Sequence, residues 1–243
     1  MTVTQDDANP RKNTQNTQNT QNTQNTVDAR TARALRGLAH ESATVRLQAA
    51  LAIGTAPATA FVDPLVERCA IEPEFFVRDM LTWALTRHTP AVTVPRLLGE
   101  LRSERPRARS QALHTLSKIG DREAWPSITR ALLTDTDDEV ARAAWRTAAI
   151  LVPAGAEAGL AAVLVTQLGR GGLETRLSLS RALIALGEGS TPVLRGATRH
   201  SDPGVREHAI ATERLARDPD AGFAFAIEEA KRIVALGTTG AEE

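Results

Sequence analysis

Between Glu74 and His88, the apolar residues Val77, Met80, Leu81, Ala84 and Leu85 fall at i, i+3, i+4, i+7 and i+8. That spacing is one face of a 3.6-residue helix. Arg78, Asp79 and Thr82 lie off the stripe, and Phe76 and Trp83 flank it. The same frame returns along the chain. Aligned on the first apolar position of each such helix, Val45, Val77, Ala108, Val140, Thr175 and Val205 form one column, with spacings of 32, 31, 32, 35 and 30 residues. A period in this range predicts a stacked array of helical units rather than one closed core. A polar or Gly/Pro break precedes each helix, at 40–42, 72–73, 103–106, 134–138, 169–172 and 201–204. Ahead of each break runs a Leu- or Val-rich segment of helical period, such as 94–101. Each unit therefore reads as helix, turn, helix. Gly54, Gly120 and Gly187 are expected as C-cap glycines of the second helices. Pro64, Pro95, Pro126 and Pro192 are expected in the first turn of the helix that follows.

The third unit, Ala108-Arg109-Ser110-Gln111-Ala112-Leu113-His114-Thr115-Leu116-Ser117-Lys118-Ile119-Gly120-Asp121, nearly spells Val-Arg-x-x-Ala-x-x-x-Leu-x-x-x-Gly-Asp. This frame resembles the HEAT repeat, and more narrowly the short bacterial HEAT-like repeats that also occur in phycobilin lyases. The resemblance covers about Val27 to Pro219. It implies an all-α fold, a right-handed α-solenoid of about six HEAT-like helix pairs whose second helices line a concave face. It also implies that a recurrent arginine pairs with acidic turn residues of neighbouring repeats. In this chain the column holds Arg46, Arg78, Arg109, Ala141, Arg176 and Arg206, arginine in five of six. Ala141 interrupts it, with Arg142 one place on, and the fifth turn, 169–172, carries no acid. The column follows the repeat and not one site, so it is assigned to tying repeats together. The functional alternative is a bidentate grip on phosphates or carboxylates.

Outside the array the pattern changes. From Asn13 to Thr26 the chain repeats Asn-Thr-Gln, with nothing apolar to offset the entropy of ordering. Residues 1–26 are therefore read as a disordered tail and 27–219 as the repeat array. In 220–243, Phe223, Ile227, Ala230 and Val234, with Phe225 nearby, form an apolar side opposite Glu228, Glu229, Lys231 and Arg232. A terminal unit needs such a polar outer face, so this segment reads as a capping helix and short tail.

Lys+Arg and Asp+Glu balance at 29 each, so no global field draws the chain to nucleic acid or a membrane surface. No apolar run reaches the roughly 20 residues of a membrane span, and the N-terminal stretch lacks the apolar core of a signal peptide. The single cysteine, Cys69, excludes an internal disulfide framework and suits a reducing compartment. Cytoplasmic location and a monomer are expected. The five histidines show no metal-protease spacing, the 169–172 turn lacks the Lys-Ser/Thr of a phosphate loop, and no metal or cofactor is expected.

One further column differs from ordinary repeat surface. Six residues after the first stand Leu51, Trp83, His114, Arg146, Arg181 and Ala211. Equivalent positions on packed neighbouring helices lie roughly 10 Å apart, so Trp83, His114, Arg146 and Arg181 are candidates for one continuous strip on the concave side. Arg and Trp are typical anchors of protein interfaces. The competing assignment is that Trp83 fills space between repeats. The leading function is a non-enzymatic scaffold or adaptor that binds a protein or peptide, with a regulatory role open. The alternative is an enzyme resembling the HEAT-like alkylpurine DNA glycosylases, for which Asp79, Trp83, Trp145, Arg146 and Arg181 offer a loose echo; a bilin lyase-like activity is a weaker one. A DNA clamp draws its affinity from many phosphate-neutralising cations, which a chain of zero net charge does not favour.

Overall fold

The computed structural model describes residues 29–219 and 222–239. Among these residues the fold is entirely helical. The first helices of successive units are α1 (29–38), α3 (Val62–Cys69), α5 (Pro90–Glu100), α7 (Arg130–Leu133), α9 (Glu157–Leu164) and α11 (Thr191–Ala197). The second helices are α2 (Ala43–Thr55), α4 (Phe75–Thr86), α6 (Pro106–Ile119), α8 (Asp138–Leu151), α10 (Leu173–Ala185) and α12 (Pro203–Arg217). Helix α13 (Phe223–Thr239) follows. The tail expected over 1–26 lies outside the described residues.

Each second helix packs on the next, α2 on α4 and so on to α12, while α3 packs on α5 and α7 on α9. This two-layer stack is an α-solenoid. Its apolar column is the seam: Val77, Leu81, Ala84 and Leu85 are fully buried, as are Leu113, Val140, Ala144 and Leu183. Leu116 is also buried, which fixes the register of the third unit. One continuous core runs from Leu38 to Ala209. A smaller one joins Ala211 to Phe223, Ala226, Ile227 and Ala230, so α13 covers the end of α12.

The first helices of the fourth and fifth units are shorter than the pattern suggests. The fourth is a 3-10 segment, Arg122–Ser127, followed by the single turn of α7. Pro126 sits inside that segment and supplies no N–H, which suits a broken first helix. Pro95 is likewise inside α5, because the helix starts earlier, at Pro90. Gly120 does cap α6 in the left-handed region, at φ 73°. Gly54 does not cap α2: it lies within the helix, and a Cβ there would stand 2.2 Å from the Trp83 ring. That glycine is required by close packing of two second helices, not by chain termination.

Candidate binding groove on the second-helix face

The turns before the second helices explain the arginine column. At a helix start, the carbonyls just outside the N-cap have no intrahelical donor. Each arginine stands in the first turn and reaches back to them. Arg46 donates from Nη1 to the carbonyls of His40 and Glu41, at 2.9 and 2.6 Å. Arg78 does the same to Glu72 and Pro73, Arg109 to Ser103 and Glu104, and Arg206 to His200 and Ser201. Arg176 holds the carbonyls of Gly169 and Gly171. The constant partner is thus the arginine's own turn. Only Arg46 and Arg109 also reach an acid of the next unit, Glu72 and Asp135 respectively.

A second, unexpected column completes each turn. Five residues before the first apolar position stand His40, Glu72, Ser103, Asp135, Arg170 and His200. In five of these turns that side chain accepts the backbone N–H two residues on, at Ser42, Glu74, Arg105, Asp137 and Asp202. Arg170 cannot accept, and instead donates to Asp138. The sequence signal is an acceptor side chain at a fixed offset, hidden because four residue types fill the position.

Glu72 is the most constrained of these residues. Its side chain is fully buried, takes two hydrogen bonds of 2.7 Å from Arg46 and one of 2.8 Å from Arg68. Burial opposes its ionisation, but the Arg46 guanidinium, the Glu74 N–H and Arg68 outweigh that and hold its carboxyl down at about 2.

The strip residues are treated differently by the fold. Trp83 is 37% exposed, with its ring laid over Gly54 of α2; it packs between units and still presents an edge to solvent. His114 is half-buried on α6. Burial and the positive charges of Arg146 and Lys118 lower its pKa, with Asp79 opposing. His114 and Arg146 sit on the packed neighbouring helices α6 and α8. Arg146 and Arg181 are exposed and line one groove of about 210 Å³ between α8 and α10. Among the described residues neither makes a hydrogen bond or ion pair.

The groove has members the sequence reading did not assign to the strip. Arg142 and Leu177 stand one helical turn before Arg146 and Arg181, on the same face, and Ile150 and Glu174 complete the lining used below. Ile150 is 48% exposed. Arg142 bonds Glu139, lies 3.7 Å from Glu174, and has an Nε that is shielded from solvent yet has no acceptor. Aligning positions two after the first apolar residue would have found Arg142 and Leu177. Trp145, in contrast, is fully buried and donates from its indole to the Leu133 carbonyl, with Arg170 stacked 5.9 Å from its ring. It is therefore part of the core and offers no stacking platform.

Other chemical groups are structural. Cys69 is buried, and burial pushes its thiol up to about 12, which keeps it protonated and inert. Among the described residues no group of three His, Cys, Asp or Glu is placed to hold a metal, and no helix is long and apolar enough to cross a membrane.

The stacked helix pairs define an α-solenoid. Residues 77–150 match the family model described as HEAT repeats, so this stretch of the solenoid is built of HEAT repeats. No curated protein matches the chain.

Proposed function

We propose that the chain is a non-enzymatic scaffold that binds a protein or peptide on its second-helix face. The observation that carries this reading is a contrast among arginines. Those of the turn column are all engaged with backbone carbonyls, whereas Arg146 and Arg181 stand open beside an apolar wall. Open guanidiniums next to exposed Ile150, with a partly exposed Trp83 further along the same helix layer, have the composition of an interface anchor. HEAT repeats in general mediate protein interactions, which agrees with this composition. The division into a tail over 1–26, an array over 27–219 and a capping segment over 220–243 belongs to the same proposal, as do a monomeric state and a cytoplasmic location.

The test is affinity capture from lysate of the source cells, with a photo-crosslinking residue introduced at position 178, in the groove lining. A captured protein must crosslink at that position and be lost with Arg146→Ala/Arg181→Ala, while the variant keeps its circular dichroism melt. A partner that crosslinks only from first-helix positions would overturn the assignment of the face.

A further inference from the structure

The groove between α8 and α10 is unbalanced in charge. Arg142, Arg146 and Arg181 line it, against the single carboxylate of Glu174. Glu174 lies in the first turn of α10, where a helix N-terminus already favours it, and at 3.7 Å it is too far from Arg142 for a hydrogen bond. Partial desolvation against the groove and the neighbouring Arg142 charge lower the pKa of Arg146, with Glu139 opposing. The Nε of Arg142 is shielded from water without an acceptor. Arg142 is paired with Glu139 and Glu174, and Arg146 and Arg181 have no ion-pair partner among the described residues, so the groove keeps an excess of positive charge.

We propose that this groove recognises an acidic side chain, Asp or Glu, of a partner segment whose adjoining apolar side chain lies on Ile150 and Leu177. The inference rests on the protein-binding reading above and names the chemistry of its partner. Arg146 and Arg181 occupy equivalent positions on adjacent helices and flank the groove from both sides. A carboxylate between them accepts charge-assisted hydrogen bonds from two planar donors. The apolar wall fixes what sits beside the acid. Ile150 and Leu177 favour a hydrocarbon side chain over a continuous phosphate backbone, which needs cations at regular intervals. The chain supplies no such run, since its net charge is zero and the turn-column arginines are occupied by carbonyls.

The experiment is selection of a displayed random dodecapeptide library on the intact chain. Binding of the enriched peptides is then measured by fluorescence anisotropy. Enriched peptides should share Asp or Glu next to an apolar residue, and Arg146→Ala/Arg181→Ala should weaken them about tenfold or more. Selection on Arg146→Glu/Arg181→Glu should replace the acid with Lys or Arg. Should either pair melt early by circular dichroism, Arg146→Gln/Arg181→Gln keeps the side chain out to Cδ, removes the charge and should give the same loss of affinity.

Enriched peptides without an acid, lost on Leu51→Ala/Trp83→Ala but indifferent to the arginines, would overturn the inference and leave the protein-binding reading intact. Peptides indifferent to both pairs, or no enrichment at all, would overturn both. An oligonucleotide that displaces the peptides and binds through the same arginines more tightly would make the ligand a nucleic acid and overturn the inference.

Discussion

Arg46 and Arg181 are the same residue on equivalent helices, and the fold uses them in opposite ways. Arg46 is 5% exposed, and its guanidinium is shared among two turn carbonyls and both oxygens of Glu72. Arg181 is exposed, beside two other arginines and without an acceptor. The difference lies in where each sits relative to the turn. One position after the first apolar residue points back at orphaned carbonyls; six positions after it points across the helix layer. Burial of a charge demands full pairing, so the first position is constrained by folding. At the second, Arg146 and Arg181 make no hydrogen bond or ion pair among the described residues, which leaves their guanidiniums open in the groove.

The largest expected effect breaks the buried side of this comparison. Glu72→Ala removes the carboxylate and leaves Arg46 buried with its charge uncompensated, which should cost about 3–5 kcal/mol in unfolding experiments. A cost below about 1 kcal/mol would mean the first two units are not tied through this pair.

Acid should expose a second buried polar group. His208 is fully buried on α12; its Nδ1 accepts the Gly169 N–H at 3.0 Å, and its Nε2 faces the Arg176 carbonyl and Ser180 Oγ at 2.9 and 3.1 Å. Burial pushes its pKa down from 6.5 to about 4, with the Arg176 carbonyl opposing. The unfolded chain then takes up a proton below about pH 6.5 that the folded chain refuses. Stability should therefore fall as pH drops from about 6.5 towards 4, by about 3 kcal/mol in all, and be flat in this group's contribution above pH 7. Glu72 acts lower: its depressed pKa gives stability that is present above 4.5 and lost as pH falls through about 2. His208→Gln should remove the upper limb of the urea-midpoint profile and keep the lower one.

These features differ in how far the sequence announced them. The seam was legible because a burial requirement repeats with the unit: the positions of Val77, Leu81 and Leu85 recur in register and are filled in most units by buried apolar residues, Ala as well as Leu. The turn arginines were legible as a column for the same reason, though their constant partner is backbone, which no residue-type pattern reveals. The acceptor column of His40, Glu72, Ser103, Asp135 and His200 stayed hidden because very different side chains make one hydrogen bond. Gly54 read as a helix terminator because a close approach by Trp83 depends on a neighbour 29 positions away. In the groove, the Arg146 and Arg181 column was visible, while Arg142 and Leu177 were not, since neither stands out within its own unit.

Smaller effects separate the turn column from the strip. Arg206 clamps two carbonyls without any acid, in an exposed turn, so Arg206→Ala should cost about 1 kcal/mol. Arg181→Ala removes no hydrogen bond or ion pair among the described residues and should change stability by less than about 0.5 kcal/mol. A larger loss at Arg181 than at Arg206, read from chemical melts of both, would reverse the assignment of the two columns.

The most direct measurement pairs melting temperature with partner affinity for Arg46→Ala and for Arg146→Ala/Arg181→Ala. The account predicts a crossed result. Arg46→Ala lowers the melting temperature by several degrees and leaves affinity per folded molecule unchanged, whereas the groove pair melts like the wild type and binds about tenfold or more weakly. A groove pair that melts early while retaining its affinity would contradict the account, because those arginines would then be holding the stack together and the partner would bind elsewhere.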